Sequence, residues 1–245
     1  MPALPTSSFP RLASAFAEYW NQYVALALLP RLHGYELMMA PYAIAHMKVG
    51  LKLFETGYRF GSDERARIYL TNALEPPQDF SDRLSFDAPA LAHEAQAVNA
   101  IKRQQRFTVV IRNPPYAGIS SNMSESAQRI VDAYRKVDGA ALNERKLWLQ
   151  DDYVKFIRTA QMTIESATAG VFGFITNHGY LDNPTFRGMR QSLMGTYARL
   201  RMLDLHGNAN KREQSPDGSE DKNVFAIRQG VAICLGTRGR SEAHV

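Results

Sequence analysis

The residues best suited to chemistry are Asn113, Pro114, Pro115 and Tyr116, which directly follow the apolar run Phe107-Thr-Val-Val-Ile-Arg112. That run has the composition of a short buried strand. The two prolines end it, because each lacks an amide donor and holds φ near about −65°. The chain must therefore leave the sheet as a stiff loop, with a side-chain amide at one end and a phenol ring at the other. A loop of this kind can hold a flat heterocycle by its amino group and by its face.

The exocyclic amine of a base such as adenine is a poor nucleophile, because its lone pair is delocalised into the ring. Two acceptors that bond its two hydrogens turn the nitrogen towards tetrahedral geometry and aim the lone pair at an electrophilic methyl group. The side-chain oxygen of Asn113 is one acceptor, and the carbonyl of Pro114, on a backbone with little freedom, is the natural second. Such catalysis is electrostatic preorganisation and requires no strong base. Tyr116 would stack on the ring, a contact worth about 1–3 kcal/mol in nucleic-acid sites. A base in a duplex reaches such a loop only when flipped out. A plain strand-end turn has the same composition, since Asn-Pro and Pro-Pro are ordinary loop punctuation. The neighbouring elements decide between the two.

Those elements alternate. Residues 10–29 read as a helix halted by Pro30, and Arg31–Leu37 as a short strand ending near Glu36. From Pro41 the apolar positions Ile44, Met47, Leu51 and Phe54 recur at helical spacing, with Gly57 as the stop. Arg67–Asn72 is a second strand and Pro89–Lys102 a helix leading into the strand before Asn113. Residues 117–148 are polar and mixed, which predicts a mobile loop with one helix. Asp151 and Asp152 open a helix whose apolar face is Tyr153, Phe156, Ile157, Ala160 and Ile164, the acids suiting the helix dipole. Then come a strand over 170–176, a helix over 186–194 and a strand over 199–205. After a polar loop at 207–223, Val224–Ile227 and Val231–Leu235 read as a closing strand pair around Gln229-Gly230. Strands alternating with helices predict an α/β fold with a sheet that is parallel for most of its length.

The 245 residues fit one domain, and 45% hydrophobic with 22% charged residues are globular proportions rather than those of a disordered chain. A net charge of +5 is compatible with a polyanionic partner without demanding one. The single cysteine, Cys234, rules out an intrachain disulfide, suits a reducing cytoplasm, and reads as an inert core thiol within Val231–Leu235. No apolar run is long enough for a membrane span or preceded by the basic region of a secretory signal. The six histidines form no HxxxH pair and have no cysteine partners, so no metal site is expected.

In this order the elements resemble the amino-methylating, N6-adenine DNA methyltransferases of restriction–modification systems. They are most similar to the type ISP enzymes, in which methylase, helicase and nuclease share one chain. The likeness runs over residues 17–240 and includes an intact Asn-Pro-Pro-Tyr motif at 113–116. His33–His46 is similar to the strand-to-helix segment whose acid binds the ribose hydroxyls of the cofactor, S-adenosylmethionine; Glu36 falls on that position. A carboxylate at a strand's C-terminal end can accept both hydroxyl hydrogens. Ile68–Leu74 resembles the next motif, which implies that Asn72 contacts the cofactor adenine. Phe174–Arg190 and Asp204–Asn208 are similar to type ISP sequences over long stretches. Phe225 falls where the family places an aromatic that faces the catalytic tyrosine across the flipped base. Lys211, Arg212 and Lys222 are candidates for phosphate contacts.

The resemblance implies a Rossmann-like, S-adenosylmethionine-dependent sheet acting on double-stranded DNA with a flipped adenine. It also implies a Gly-rich cofactor loop after a first, central strand. Residues 1–33 contain no glycine, so residues 1–245 are expected to be a partial methyltransferase domain. The first strand, the target-recognition region and the helicase and nuclease segments would then lie elsewhere. Two further readings remain: related loops act on RNA or on protein glutamine, and a chain without its Gly-rich loop could be an inactive remnant that binds DNA weakly.

Overall fold

A computed structural model describes residues 8–61, 64–77, 89–115, 118, 120, 122–143 and 147–239. The chain divides into two compact units, 1–103 and 104–245.

In the first unit, α1 (Ser8–Tyr23) runs on as a π-helical turn (Val24–Leu28) just ahead of Pro30. Strand β1 (His33–Glu36) leads into α2 (Met39–Glu55), and β2 (Arg67–Leu70) is followed by α3 (Pro89–Gln104). The helical crossover through α2 makes β1 and β2 parallel, with Glu36 opposite Leu70. Gly57, at φ +91°, breaks the chain away after α2, a backbone conformation that glycine adopts at no steric cost. Among the described residues, Val24, Leu29, Leu53 and Tyr58 form one buried cluster, and Ala66, Ile68, Tyr69, Leu74 and Val98 are buried around β2 and α3. The periodicity of α2 identifies a helix correctly, but Ile44, Met47, Leu51 and Phe54 are all exposed. The predicted apolar face exists, and the described residues leave it uncovered.

The second unit holds β3 (Val109–Arg112), α4 (Glu125–Arg129), a short hairpin of β4 (Lys136–Val137) and β5 (Ala140–Ala141), and α5 (Asp152–Glu165). Strand β6 (Gly170–Asn177), α6 (Arg187–Thr196), β7 (Arg199–Asp204) and β8 (Val231–Arg238) complete it. The sheet order is β3-β6-β8-β7. Strands β3 and β6 are parallel, whereas β8 is antiparallel to both β6 and β7. The sheet is therefore mixed rather than mainly parallel, because β7 and β8 are joined by an irregular segment, not by a crossover helix. The predicted strand pair is corrected in the same way. Residues 224–229 are a series of bends, and β8 pairs with β6 and β7 instead. Residues 117–148 also hold more structure than a loop: α4 continues as a 3-10 turn, and Ala127, Val131 and Tyr134 are fully buried.

The core of this unit lies between α5, α6 and one face of the sheet. Burial alternates along β6, so Phe172, Phe174 and Thr176 face inwards. Tyr153, Ile157, Ala160 and Ile164 of α5 meet them at helical spacing. Fully burying side chains of this size stabilises by about 1.5–3 kcal/mol each. Phe172 also explains Gly236, its partner in register: a Cβ there would sit 2.0 Å from the ring. Tyr134 buries its hydroxyl by donating it to Gln161 Oε1 (2.7 Å), and Gln161 in turn donates to Ser192 and Thr196 on α6. These buried polar groups thus enter the core with partners.

Candidate functional site

Strand β3 pairs with β6 from Val109 to Arg112, and the prolines end the pairing, as their chemistry requires. Asn113 is exposed at the strand's C-terminal end, Pro114 is buried and Pro115 exposed. The buried proline anchors the loop and leaves the amide next to it accessible. Tyr116 lies outside the described residues. Asn177 pairs with Val231 and Asp204 with Ala232, so residues 205–230 leave the sheet at the end where β3 and β6 finish. The Asn113 loop and the Phe225 loop therefore share one end of the sheet.

The second of these loops is held by His178, which is 4% exposed just after β6. Its Nδ1 lies 3.0 Å from Asp204 Oδ1 and its Nε2 2.9 Å from Asn208 Nδ2. Asp204 and the Asn208 side-chain amide thus give both ring nitrogens a polar partner. Burial opposes the charge on Asp204. Hydrogen bonds from the His206 N–H and from His178 outweigh it, holding the carboxyl below its usual range. Gly230 is the residue that fits beside the ring, since a Cβ would lie 2.3 Å from His178 Cε1. Further along, Asn223 donates to the carbonyls of Gly207 (3.1 Å) and Gln229 (2.6 Å) and accepts from Phe225 N–H (2.8 Å). Phe225, 43% exposed, thus sits on a loop fixed at its base rather than on a strand.

The cofactor-side candidates belong to the first unit. Glu36 is half-buried at the end of β1, and one carboxylate oxygen, Oε1, accepts the backbone N–H groups of Leu37 and Met38 (both 2.9 Å). That arrangement fixes the carboxylate and leaves Oε2 for hydroxyl donors, which fits a ribose. Asn72 lies just beyond the end of the neighbouring strand β2, where Thr71 N–H reaches Glu36 O. Its side-chain oxygen accepts from Leu74 N–H (3.0 Å), closing a turn, so that atom is engaged within the chain. Lys102 pins the same turn from α3, donating to Thr71 Oγ1 and to the carbonyls of Asn72 and Glu75.

The basic candidates are unequal. Arg212 and Lys222 are both exposed, and Arg212 has a left-handed φ of +52°. Lys211 is ion-paired with Asp182 at 2.9 Å, which holds the Asp182 carboxyl below its usual range. Two arrangements are not foreseen by the sequence pattern. The acids opening α5 do more than suit a dipole: Asp151 Oδ2 accepts Gly118 N–H, and Asp152 Oδ1 accepts Ser120 Oγ and Asn122 Nδ2. Also, His206, Glu213 and Asp221 bring potential ligand atoms within 4.8 Å of one another near the surface, where carboxylates gather without any ion. Adjacent Asp residues before a helix are a visible signal for the first, whereas a 206/213/221 spacing signals nothing.

An exposed amide beside a buried proline at a strand end, with an aromatic-bearing loop at the same end of the sheet, is an arrangement suited to a methylase of flat amines. Residues 34–210 match the Eco57I restriction-modification methylase family, and the chain belongs to it. Solved structures agree. The DrdV–DNA complex is 26% identical with a TM-score of 0.64, over 84% of this chain and 20% of that one. The ATP-dependent type ISP restriction-modification enzyme LlaBIII bound to DNA is 22% identical (TM-score 0.66), over 91% of this chain and 16% of that one. A nuclease-deletion mutant of the type ISP enzyme LlaGI with a DNA substrate mimic is 22% identical (TM-score 0.63), over 92% and 19%. This chain thus spans a fifth or less of those proteins and shares the fold of their matched region. A search of curated proteins finds no match. Among the described residues, no helix is long and apolar enough to cross a membrane.

Proposed function

We propose that this chain is part of a site-specific DNA methyltransferase of a restriction–modification enzyme, transferring a methyl group from S-adenosylmethionine to N6 of a flipped adenine. The observation that carries the proposal is the Asn113-Pro114-Pro115-Tyr116 loop at the end of β3, in a chain that belongs to a methylase family. S-adenosylmethionine supplies the electrophilic methyl group. Asn113 Oδ1 and the Pro114 carbonyl accept the two amino hydrogens and aim the lone pair; the surplus proton passes to solvent after transfer. Tyr116 and Phe225 stack on opposite faces of the base. Glu36 takes the ribose hydroxyls, and Asn72 borders the cofactor adenine through its turn. Arg212 and Lys222 are the better phosphate contacts, with Lys211 committed to Asp182.

Residues 1–245 would form part of one Rossmann-like methyltransferase domain, in which a further strand would pair with β3. Strand β3 supports this. Among the described residues it is an edge strand of its sheet, with Val109 and Ile111 on one face 58% and 79% exposed, whereas parallel strands are ordinarily covered. The target-recognition, helicase and nuclease segments would be its partners in the full-length enzyme. The test is Asn113→Ala in that enzyme. Methylation of adenine in duplex DNA should fall by at least about 10²–10³-fold, with S-adenosylmethionine affinity kept. Undiminished methylation would exclude the mechanism, and preferential transfer to RNA or to protein glutamine would redirect the substrate.

A further inference from the structure

Lys155 is 0% exposed, on the buried side of α5, and Asp151 and Asp152 beside it are each 6% exposed. Lys155 Nζ donates to Ser120 Oγ (2.8 Å) and to the carbonyl of Asn122 (2.5 Å). Asp152 Oδ1 accepts from the same two residues, from Ser120 Oγ at 2.5 Å and Asn122 Nδ2 at 3.0 Å. Asp151 Oδ2 accepts the Gly118 N–H at 3.1 Å. Three charged side chains from the start of one helix thus converge on Gly118, Ser120 and Asn122, the first of them two positions beyond Tyr116 in the sequence.

Burying a lysine and two aspartates is a poor way to stabilise a fold, because desolvation offsets most of the Coulomb attraction and apolar replacements often do better. The cluster is also unfinished: Asp151 Oδ1 is buried with no hydrogen-bond partner among the described residues. What the arrangement supplies is geometry. Every one of these bonds ends on Gly118, Ser120 or Asn122, which follow Pro115 closely in the chain.

We infer that Asp151, Asp152 and Lys155 are positioning residues that clamp segment 118–122 to α5 and thereby set the geometry of the Asn113-Pro114-Pro115-Tyr116 loop. The inference rests on the methyl-transfer reading for its consequence, but the clamp itself can be tested without activity. It acts on the aim of the amine, not on binding, so its loss lowers kcat and spares the cofactor KM.

The experiment compares wild type with Lys155→Met, Lys155→Arg and Asp152→Asn. In hydrogen exchange of this chain, amides of 118–123 should exchange about tenfold faster in Lys155→Met and Asp152→Asn, with β6 unchanged. Lys155→Arg, which keeps the donors, should recover protection. In the full-length enzyme, kcat should fall by about 10–100-fold with the S-adenosylmethionine KM within about twofold. Unchanged exchange at 118–123 overturns the clamp, and faster exchange with full kcat overturns its positioning role. Failure of wild type to methylate adenine would overturn the methyl-transfer reading while the exchange result still decides the clamp. If Lys155→Met also loses β6 protection, Ser120→Ala removes one bonding partner on the loop side and leaves α5 intact. Exchange at 118–123 in that folded variant then decides the clamp by the same criterion.

Discussion

The two units of this chain solve the same problem with different completeness. In the second unit, sixteen buried residues form one core, and buried polar groups such as Tyr134 and Gln161 are matched with partners. Among the described residues of the first, the largest buried cluster has four members, with Ala66, Ile68, Tyr69, Leu74 and Val98 buried around β2 and α3, and the apolar stripe of α2 lies open. The difference teaches where stability and function reside. The Asn113 and Phe225 loops are carried by the unit with the larger described core, whereas Glu36 and Asn72 are carried by the sparer one. In the proposed enzyme, the residues that aim the substrate rest on the larger described core, and those that seat the cofactor on the smaller one.

The largest effect that could break this comparison is a cavity in the second core. Phe172→Ala removes a ring that is 1% exposed and packs against Phe174 and Tyr197. The expected loss is about 3–5 kcal/mol, a large part of a typical domain's stability of about 5–15 kcal/mol. Urea unfolding measures it, and the single cysteine localises it. Cys234 lies in this core, with burial pushing its thiol up to about 11, so alkylation near pH 8 reads opening of the second unit alone. A loss below about 1 kcal/mol would mean that the core is not close-packed.

Much of this contrast is visible in the sequence, and the misses have physical causes. Helices and strands with clear periods, such as α5 and β6, are legible because burial on one face imposes the period. The uncovered face of α2 is not, because periodicity reports which residues are apolar and cannot report whether anything covers them. Val224–Ile227 reads as a strand because its side chains suit one. Asn223, by bonding Gly207, Gln229 and Phe225, instead commits that backbone to a turn, and a side-chain contact across sixteen residues leaves no local signature. Asn113-Pro114-Pro115 is legible because proline chemistry is local. The Lys155 cluster is not, since its partners lie 33 and 35 residues away.

A smaller, signed effect comes from two carboxylates of the second unit. Asp204 has a folded pKa below its ordinary 3.8, so its contribution is present above that value and lost as pH falls through the folded one. Asp151 is shifted the other way: burial raises it, against the hydrogen bond from Gly118, so its ionisation costs stability as pH rises from 3.8 through the folded value. Asp204→Asn should therefore lower stability at neutral pH and flatten the acid limb. Asp151→Asn should lessen the stability lost as pH rises. Denaturation midpoints between pH 3 and 7 check both, and shifts of the same sign would contradict the burial assigned to Asp151.

The smallest effect sharpens the contrast within one helix of the first unit. Leu51 and Leu53 are two residues apart on α2, so about 200° separates their side chains around the axis. Leu53 is 7% exposed and packs in the small core; Leu51 is 54% exposed. Leu53→Ala should cost about 2–5 kcal/mol. Leu51→Ala should change stability by no more than about 0.5 kcal/mol, while reducing binding of an apolar dye to the Met47, Leu51 and Phe54 surface. Denaturant titration of both variants measures the difference. Equal costs would mean that Leu51 is covered when the chain is folded in solution, and the apolar stripe of α2 would then not be open. Unequal costs would mean that the Met47, Leu51 and Phe54 face adds little to the stability of the folded chain, so that α2 is held by its Leu53 side alone.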